Sequence, residues 1–365
     1  TSSKNCHIAG MEDAKKRIFC LQFHPEVKHT VNVKKLINNF LKITGVKRNW
    51  SMRDFISDSI TNIRKQIGQD RAVCALSGGV DSAIAATLVH RAIGKNLTCI
   101  YVDTGLMRAG ETEQIVKTFK QYQKIDLRVV NAKKQFLNKL KGIADPERKR
   151  KIIGELFIRI FEKESKKLGK IKWLVQGTLY PDTIESSKGV GKHAAVIKSH
   201  HNAGGLPKKI GFKLAEPLRE LYKDEVRKIG KLLNLPDSLT YRQPFPGPGL
   251  AIRIIGEVTE EKLNLVRKAD KIVCDEIERA KANTQQYLAV LLPIRSVGVQ
   301  GDARTYGHPI VLRAVTTTDL MTARWAELPY SLLQKISTRI TNEVKGINRV
   351  VYDITSKPPG TVEWE

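Results

Sequence analysis

The sequence predicts an α/β fold, a parallel sheet covered by helices, followed by a smaller α+β region. Three observations carry this expectation. Between residues 71 and 176, short apolar runs alternate with helical stretches, which is the pattern of parallel strands joined by crossover helices. A glycine- and serine-rich turn, Ser77-Gly78-Gly79-Val80-Asp81-Ser82, separates the first of those runs from the helix after it. Beyond Pro236 the texture changes to a proline–glycine connector at 244–249, with amphipathic helices at 260–279 and 330–344.

In chain order, residues 17–23 read as a strand, followed by His24-Pro25-Glu26 and an amphipathic helix over 31–43. These pieces are too few to bury a core of their own. The polar stretch 44–50 reads as a linker, and residues 52–66 place Phe55, Ile56, Ile60 and Ile63 on one helical side. Residues 72–76, 97–102, 127–130 and 173–176 are the apolar runs expected as strands. Helices are expected up to His90, from about residue 111, and over the basic stretch 152–167. Ligands of such sheets bind at the carboxyl ends of the strands. The glycine- and serine-containing stretch 186–205 reads as a mobile loop over that end.

Composition narrows the class further. A chain of 365 residues suits two or three domains. No run of about 18 apolar residues is present, so neither a transmembrane helix nor a membrane partner is expected, and the first residues lack the apolar core of a signal peptide. Cys6, Cys20, Cys74, Cys99 and Cys274 form no C-x-x-C pair. That argues against a disulfide framework or a zinc site and for a cytoplasmic setting. The 63 basic and 37 acidic residues leave a net charge of +26, which raises nucleic-acid binding as a possibility. Because the lysines are spread along the chain without an RNA-recognition or zinc-finger motif, anionic small substrates are the plainer explanation, and no nucleic-acid partner is expected.

The turn after the first strand carries the chemistry. Its glycines let backbone N–H groups face an anion, and the following helix N-terminus adds a favourable dipole. Ser77 and Ser82 can donate to phosphate oxygens, with Gly78, Gly79 and Val80 offering backbone. Asp81 can hold a magnesium ion. There is no lysine of the G-x-x-x-x-G-K-[ST] type, so the loop suits cradling released pyrophosphate better than transferring a γ-phosphoryl group. A helix-capping turn with no ligand is the bland alternative.

This loop resembles that of the N-type ATP pyrophosphatases, which split ATP between the α- and β-phosphates and adenylate a carbonyl oxygen. Further stretches resemble one member family, the GMP synthases. They are 145–154 (DPERKRKIIG), 176–182 (QGTLYPD), 197–202 (IKSHHN), 244–250 (PFPGPGL), 295–302 (RSVGVQGD) and 357–365 (KPPGTVEWE). The resemblance implies an adenine nucleotide alpha hydrolase-like pyrophosphatase domain over 47–243 and a C-terminal α+β dimerisation and XMP-binding domain over 244–365. It also implies a remnant of a class I glutamine amidotransferase domain over 1–46.

The implied reaction adenylates the C2 oxygen of XMP, releases pyrophosphate, and lets ammonia, or glutamine-derived ammonia, displace AMP to give GMP. ATP is then a co-substrate, magnesium the cofactor, and a homodimer the expected assembly. Asp81 and Asp182 would hold the metal, Val102 and Gly105 would approach the adenosine with Arg108 nearby, and Lys198 would neutralise the departing pyrophosphate. Arg150, Gln300, Lys357, Thr361 and Glu363 would contact XMP. Arg150 has a plainer reading, since its basic run also suits a solvated helix face; His200 and His201 invite a metal reading, but adjacent histidines point in different directions and suit loop packing.

Residues 23–27 resemble the end of the amidotransferase domain, where His24 and Glu26 would complete a triad with a cysteine. No cysteine here lies in a G-x-C-x-G elbow, so the expectation is that these 365 residues use free ammonia. Glutaminase activity measured in the purified chain would refute it. Two rival functions remain: a tRNA-modifying ATP pyrophosphatase, which should carry a zinc knuckle or catalytic cysteine pair, and a basic nucleic-acid-binding protein, whose binding should fall steeply with salt.

Overall fold

Val73, Ile100, Val102 and Leu174 pack into one apolar cluster, while Ala72, Cys74, Cys99, Tyr101, Trp173 and Val175 pack into another. Apolar side chains alternating to both sides are what a parallel sheet buried between helices requires. The computed structural model describes residues 2, 6–25, 31–47, 51–187, 211–317 and 322–365. They fall into two compact units, Thr1–Ser51 and Met52–Glu365.

The first unit holds an antiparallel hairpin, β1 (Gly10–Asp13) and β2 (Ile18–Leu21), and one helix, α1 (Val33–Thr44). Phe19 meets Phe40 edge-on at 6.0 Å. No α1 side chain is fully buried, so this unit is poor in core, as the sequence suggested.

The second unit opens with α2 (Met52–Ile67), β3 (Ala72–Leu76), α3 (Val80–Ile93), β4 (Leu97–Asp103) and α4 (Glu111–Val116). A wider π-type turn, Lys117–Tyr122, continues α4. Then come β5 (Asp126–Asn131), α5 (Lys133–Leu140), α6 (Pro146–Lys166), β6 (Trp173–Val175), α7 (Tyr180–Ser187), β7 (Lys213–Ala215), α8 (Lys223–Leu232) and α9 (Asp237–Thr240). The strands lie in the order β5-β4-β3-β6-β7, all parallel. Helices α2, α3 and α8 cover one face, and α5 and α6 the other.

That strand order fixes where a ligand belongs. From β3 the chain first builds outward through β4 to β5, then returns to the opposite side of β3 with β6 and β7. The switch point is therefore between β3 and β6, and the crevice at their carboxyl ends is the expected binding position. The loop after β3 is 77–79 and the loop after β6 is 176–179.

A short 3₁₀ turn, Gly249–Arg253, leads into α10 (Glu260–Arg279), β8 (Gln286–Leu291), β9 (Ser296–Gln300), β10 (Ala303–Thr316), β11 (Arg324–Trp325), α11 (Tyr330–Glu343) and β12 (Ile347–Asp353). The long β10 pairs antiparallel with β8, β9 and β11 and parallel with β12. Helices α10 and α11 pack on this second sheet, and one apolar cluster runs from them to β3, β4 and β6. The two sheets of this unit therefore share a core.

Four elements differ from expectation in instructive ways. Helix α6 begins at Pro146, not near 152, because Asp145 caps it by accepting the Arg148 N–H at 2.7 Å and proline suits the first turn. The charged run 147–151 hid those turns. Strand β7 and helices α5 and α8 had no sequence expectation at all, being short or highly charged.

Candidate active site

At the switch point, Ser77-Gly78-Gly79 turns from β3 into α3. Gly78 has φ +81°, a conformation that favours glycine. A Cβ there would also lie 2.9 Å from the Ile115 side chain. The loop closes on its own polar groups: Ser77 Oγ accepts the Gly79 N–H at 3.3 Å, and the Ser77 and Ser82 hydroxyls lie 3.1 Å apart. Ser82 Oγ also donates to the Gly79 carbonyl at 3.0 Å. These hydroxyls are exposed, so an arriving phosphate can replace the internal bonds one for one.

Asp81, in the first turn of α3, faces the neighbouring strand's loop. A Cβ on Gly177 would stand 2.8 Å from the Asp81 carbonyl carbon, so the turn after β6 must be glycine for the two loops to meet. Lys223, the first residue of α8, donates to Asp81 Oδ1 at 2.7 Å and to Oδ2 at 2.5 Å. Asp182, on α7, accepts the Leu179 N–H at 2.9 Å and so caps its own helix. Among the described residues no group of three His, Cys, Asp or Glu side chains could hold a metal.

Arg242 closes the loop from above. It donates to the Gly78 carbonyl at 3.0 Å and pairs with Glu111, both side chains largely buried. Burial holds the Arg242 guanidinium below its ordinary range, with Glu111 opposing the shift. Val102 is buried in β4. Gly105 has φ +75°, and a Cβ would lie 2.9 Å from Lys133 Cγ. Its carbonyl accepts from Arg267 at 2.5 Å, and its N–H donates to Asp103 Oδ1 at 3.0 Å.

The ring of Phe245 carries three guanidiniums, those of Arg108, Arg242 and Arg253, at 4.9, 5.4 and 5.0 Å from its centre. Each also has an acid. Arg242 has Glu111, while Asp270 lies 3.0 Å from both Arg108 and Arg253. Arg253 further grips Glu363 through Nε at 3.1 Å and Nη2 at 2.9 Å. Burial alone would lower the Arg253 pKa, but Glu363 and Asp270 outweigh it and raise it.

The segment 355–365 is held by buried cations along its length. Arg313 donates to the Thr355 and Thr361 carbonyls at 2.6 and 2.8 Å. Arg253 holds Glu363, Lys149 pairs with the Glu365 side chain, and Arg150 donates to the Glu365 backbone oxygen. Burial pushes the Lys149 ammonium down and the Glu365 carboxyl up, against their mutual attraction. Thr361 Oγ1 donates to the Glu363 carbonyl. Lys357 joins the sheet edge by backbone bonds to Ala323 at 3.0 and 2.7 Å.

Of the residues singled out from sequence, Ser77, Gly78, Gly79, Val80, Asp81 and Ser82 form the single loop above. Arg150, Thr361 and Glu363 gather in the 355–365 cluster. Lys198 and Glu26 lie outside the described residues, as does the Gln300 side chain, although Gln300 ends β9; His24 follows β2 in the first unit. A cavity of about 780 Å³ between α10, β11 and α11 is lined by Glu276, Arg279, Trp325 and Lys335 among others, and by none of the residues singled out. Sequence reasoning missed Lys223, Arg242, Arg253 and Lys149. The available signals were the place of Lys149 inside the 145–154 stretch quoted above and of Arg253 shortly after the proline–glycine connector.

Known proteins resemble the chain along its length. The family described as GMP synthase C terminal domain matches residues 252–364, Glutamine amidotransferase class-I matches 1–44, and Thiamine biosynthesis protein (ThiI) matches 67–180. A glutamine-hydrolyzing GMP synthase of Acetivibrio thermocellus is 58% identical over 365 residues, covering 99% of this chain and 71% of that protein. One from Carboxydothermus hydrogenoformans is 57% identical over 361 residues, covering 98% and 70%. The solved NMN synthetase of Francisella tularensis aligns with a TM-score of 0.42 at 14% identity, covering 60% of this chain and 84% of that one.

Proposed function

Because the chain belongs to the GMP synthase family, we propose that its switch-point crevice is where ATP adenylates the C2 oxygen of XMP, before ammonia displaces AMP and leaves GMP. The observation that carries this reading is the SGGVDS loop, seated at the carboxyl end of β3 beside the turn after β6.

The residues divide the work as follows. Backbone N–H groups of 78–80 and the hydroxyls of Ser77 and Ser82 receive the β- and γ-phosphates, aided by the α3 N-terminus. Val102 and Gly105 line the adenosine side by backbone. Arg150, Gln300, Lys357, Thr361 and Glu363 serve XMP. The C2 oxygen of XMP attacks the α-phosphorus, the α–β bridge breaks, and pyrophosphate departs with the bridging oxygen. Lys198 is our candidate cation for that charge. Ammonia then adds at C2, loses protons, and AMP leaves with the former carbonyl oxygen. Adenylation is what turns a poor leaving group into a good one.

Asp81 fits magnesium as a single carboxylate at a phosphate site, since that ion is commonly bound by one or two carboxylates plus phosphates and water. Bound there, it would neutralise phosphate charge. Asp182 is the second candidate, although its carboxylate already caps α7.

The remaining parts of the reading extend the same proposal. His24 and Glu26 belong to the glutaminase end that feeds ammonia in the intact enzyme. Boundaries at 46/47 and 243/244 separate the amidotransferase, pyrophosphatase and C-terminal parts. A homodimer is supported by the exposed apolar side chains Ile294, Val297, Val299 and Tyr306 near the β9–β10 hairpin. A cytoplasmic setting fits the substrates, and no described helix is long and apolar enough to cross a membrane. The charge of +26 serves anionic substrates in this reading, with no nucleic-acid partner.

The test is an ATP-cleavage assay with magnesium and ammonium, comparing XMP with no nucleotide, IMP and tRNA. Pyrophosphate and AMP are expected only with XMP, together with GMP. Release stimulated by tRNA and indifferent to XMP would overturn the reading.

A further inference from the structure

We propose that Lys223 is a positioning residue for the metal-assisted step, its ammonium occupying the cation position on Asp81 until a divalent ion takes it. The inference rests on the reading of Asp81 as a metal ligand. Both Asp81 oxygens face Lys223 Nζ, at 2.7 and 2.5 Å. A cation binding directly to that carboxylate must therefore move the lysine or share its oxygens.

Asp81 is the fixed member of the pair. Its backbone is wedged against Gly177, where even one added carbon would collide. Lys223 has a fixed root and a free head. Its root is pinned because Glu225 Oε2 accepts the Tyr222 N–H at 2.9 Å, Tyr222 meets Tyr180 edge-on at 5.4 Å, and the Tyr180 N–H reaches the Leu221 carbonyl at 3.0 Å. Its side chain is 44% exposed and has a flexible four-carbon stem, so the head can swing away without disturbing the helix.

The helix itself gives no reason for a lysine there. A cation in the first turn opposes the helix dipole, and the next two residues, Asp224 and Glu225, are the acids that the dipole favours. The placement is explained by Asp81 across the crevice. In the metal-free protein the lysine keeps that carboxylate neutralised and oriented. When a divalent ion arrives, like-charge repulsion drives the ammonium off toward the phosphate side.

Manganese titration of the full chain, followed by the electron paramagnetic resonance signal of the free ion, tests this without turnover. Lys223→Met should bind manganese roughly tenfold more tightly than the parent protein, as expected when a partly exposed competing charge is removed. Lys223→Arg, which keeps the charge, should stay near the parent, and Lys223→Gln should repeat the Met result should the Met variant fold poorly. Asp81→Asn sets the baseline, with this site lost. Neutral variants that bind no tighter than the parent, while Asp81→Asn loses the site, would overturn the role of Lys223 alone. Unchanged binding in Asp81→Asn would remove the metal reading of Asp81 and this inference with it.

Discussion

Asp81→Asn should cut XMP-dependent pyrophosphate release by roughly a thousandfold, while the protein melts within a few degrees of the parent. The size of the kinetic loss follows from the position of the group. In the proposed mechanism Asp81 would hold the charge that fixes a cation against the phosphates, and removing one such preorganised electrostatic element costs about 10²–10³ in turnover. Loss of the metal as well places the expectation at the upper end. The stability cost is small for a separate reason. Asp81 and Lys223 are 28% and 44% exposed, and a pair so open to water contributes about 0–1 kcal/mol. A favourable acid at the start of α3 is worth about as much again. A coupled phosphate-release assay and a thermal melt on one preparation measure both. Normal turnover would remove Asp81 from the mechanism, and a collapsed melting curve would make any lost activity uninformative about metal binding.

The largest stability effect is expected at Asp270, far from any exposed surface. Its side chain is 1% exposed, with Oδ1 accepting from Arg253 at 3.0 Å and from the Ala289 N–H at 3.3 Å. Its other oxygen lies 3.0 Å from Arg108 Nε. Asp270→Asn keeps the volume but leaves one guanidinium without an acid and another with Glu363 alone. Breaking a buried pair from one side typically costs about 3–5 kcal/mol, because the surviving charge stays desolvated. Lys268→Gln, on the solvent side of the same helix, is the control and should stay within about 0.5 kcal/mol. Equilibrium unfolding in guanidinium chloride separates the two. Equal midpoints for both variants would show that the three arginines on Phe245 need no central carboxylate.

What could be read from the sequence tracks how far apart the interacting residues lie. The strands 72–76 and 97–103 alternate between two buried faces over a few residues, and a glycine–serine turn marks the end of the first. Helix α10 was legible to its ends. Thr259 caps it by accepting the Lys262 N–H, and apolar residues recur on its buried face from Leu263 to Ile277, with Asp270 and Glu276 among them. The phosphate loop is likewise contiguous in sequence. The rest of the site depends on distant pairs: Lys223 with Asp81 across 142 positions, Arg242 with Gly78 across 164, and Arg253 with Glu363 across 110. A lysine or arginine carries no local mark of a partner so remote, and in a chain of +26 it is one basic residue among 63. Glu363 shows the converse. Its identity pointed to substrate, whereas its side chain is committed to Arg253, so the proposed contact with XMP would have to be made alongside that bond.

The segment 355–365 also bears on when the molecule can finish folding. Lys149, Arg253 and Arg313 are almost completely buried, and each draws a partner from residues 353–365. On the ribosome these cations are made before the partners they draw from residues 353–365. Until then, closing the shared core would bury Lys149 and Arg313 without their acids and Arg253 with Asp270 alone. The parallel sheet can form earlier in synthesis, but the joined core of the second unit waits until residues 353–365 have emerged. Nascent chains halted before residue 353 should therefore leave this unit open to protease, and chains carried through residue 365 should protect it.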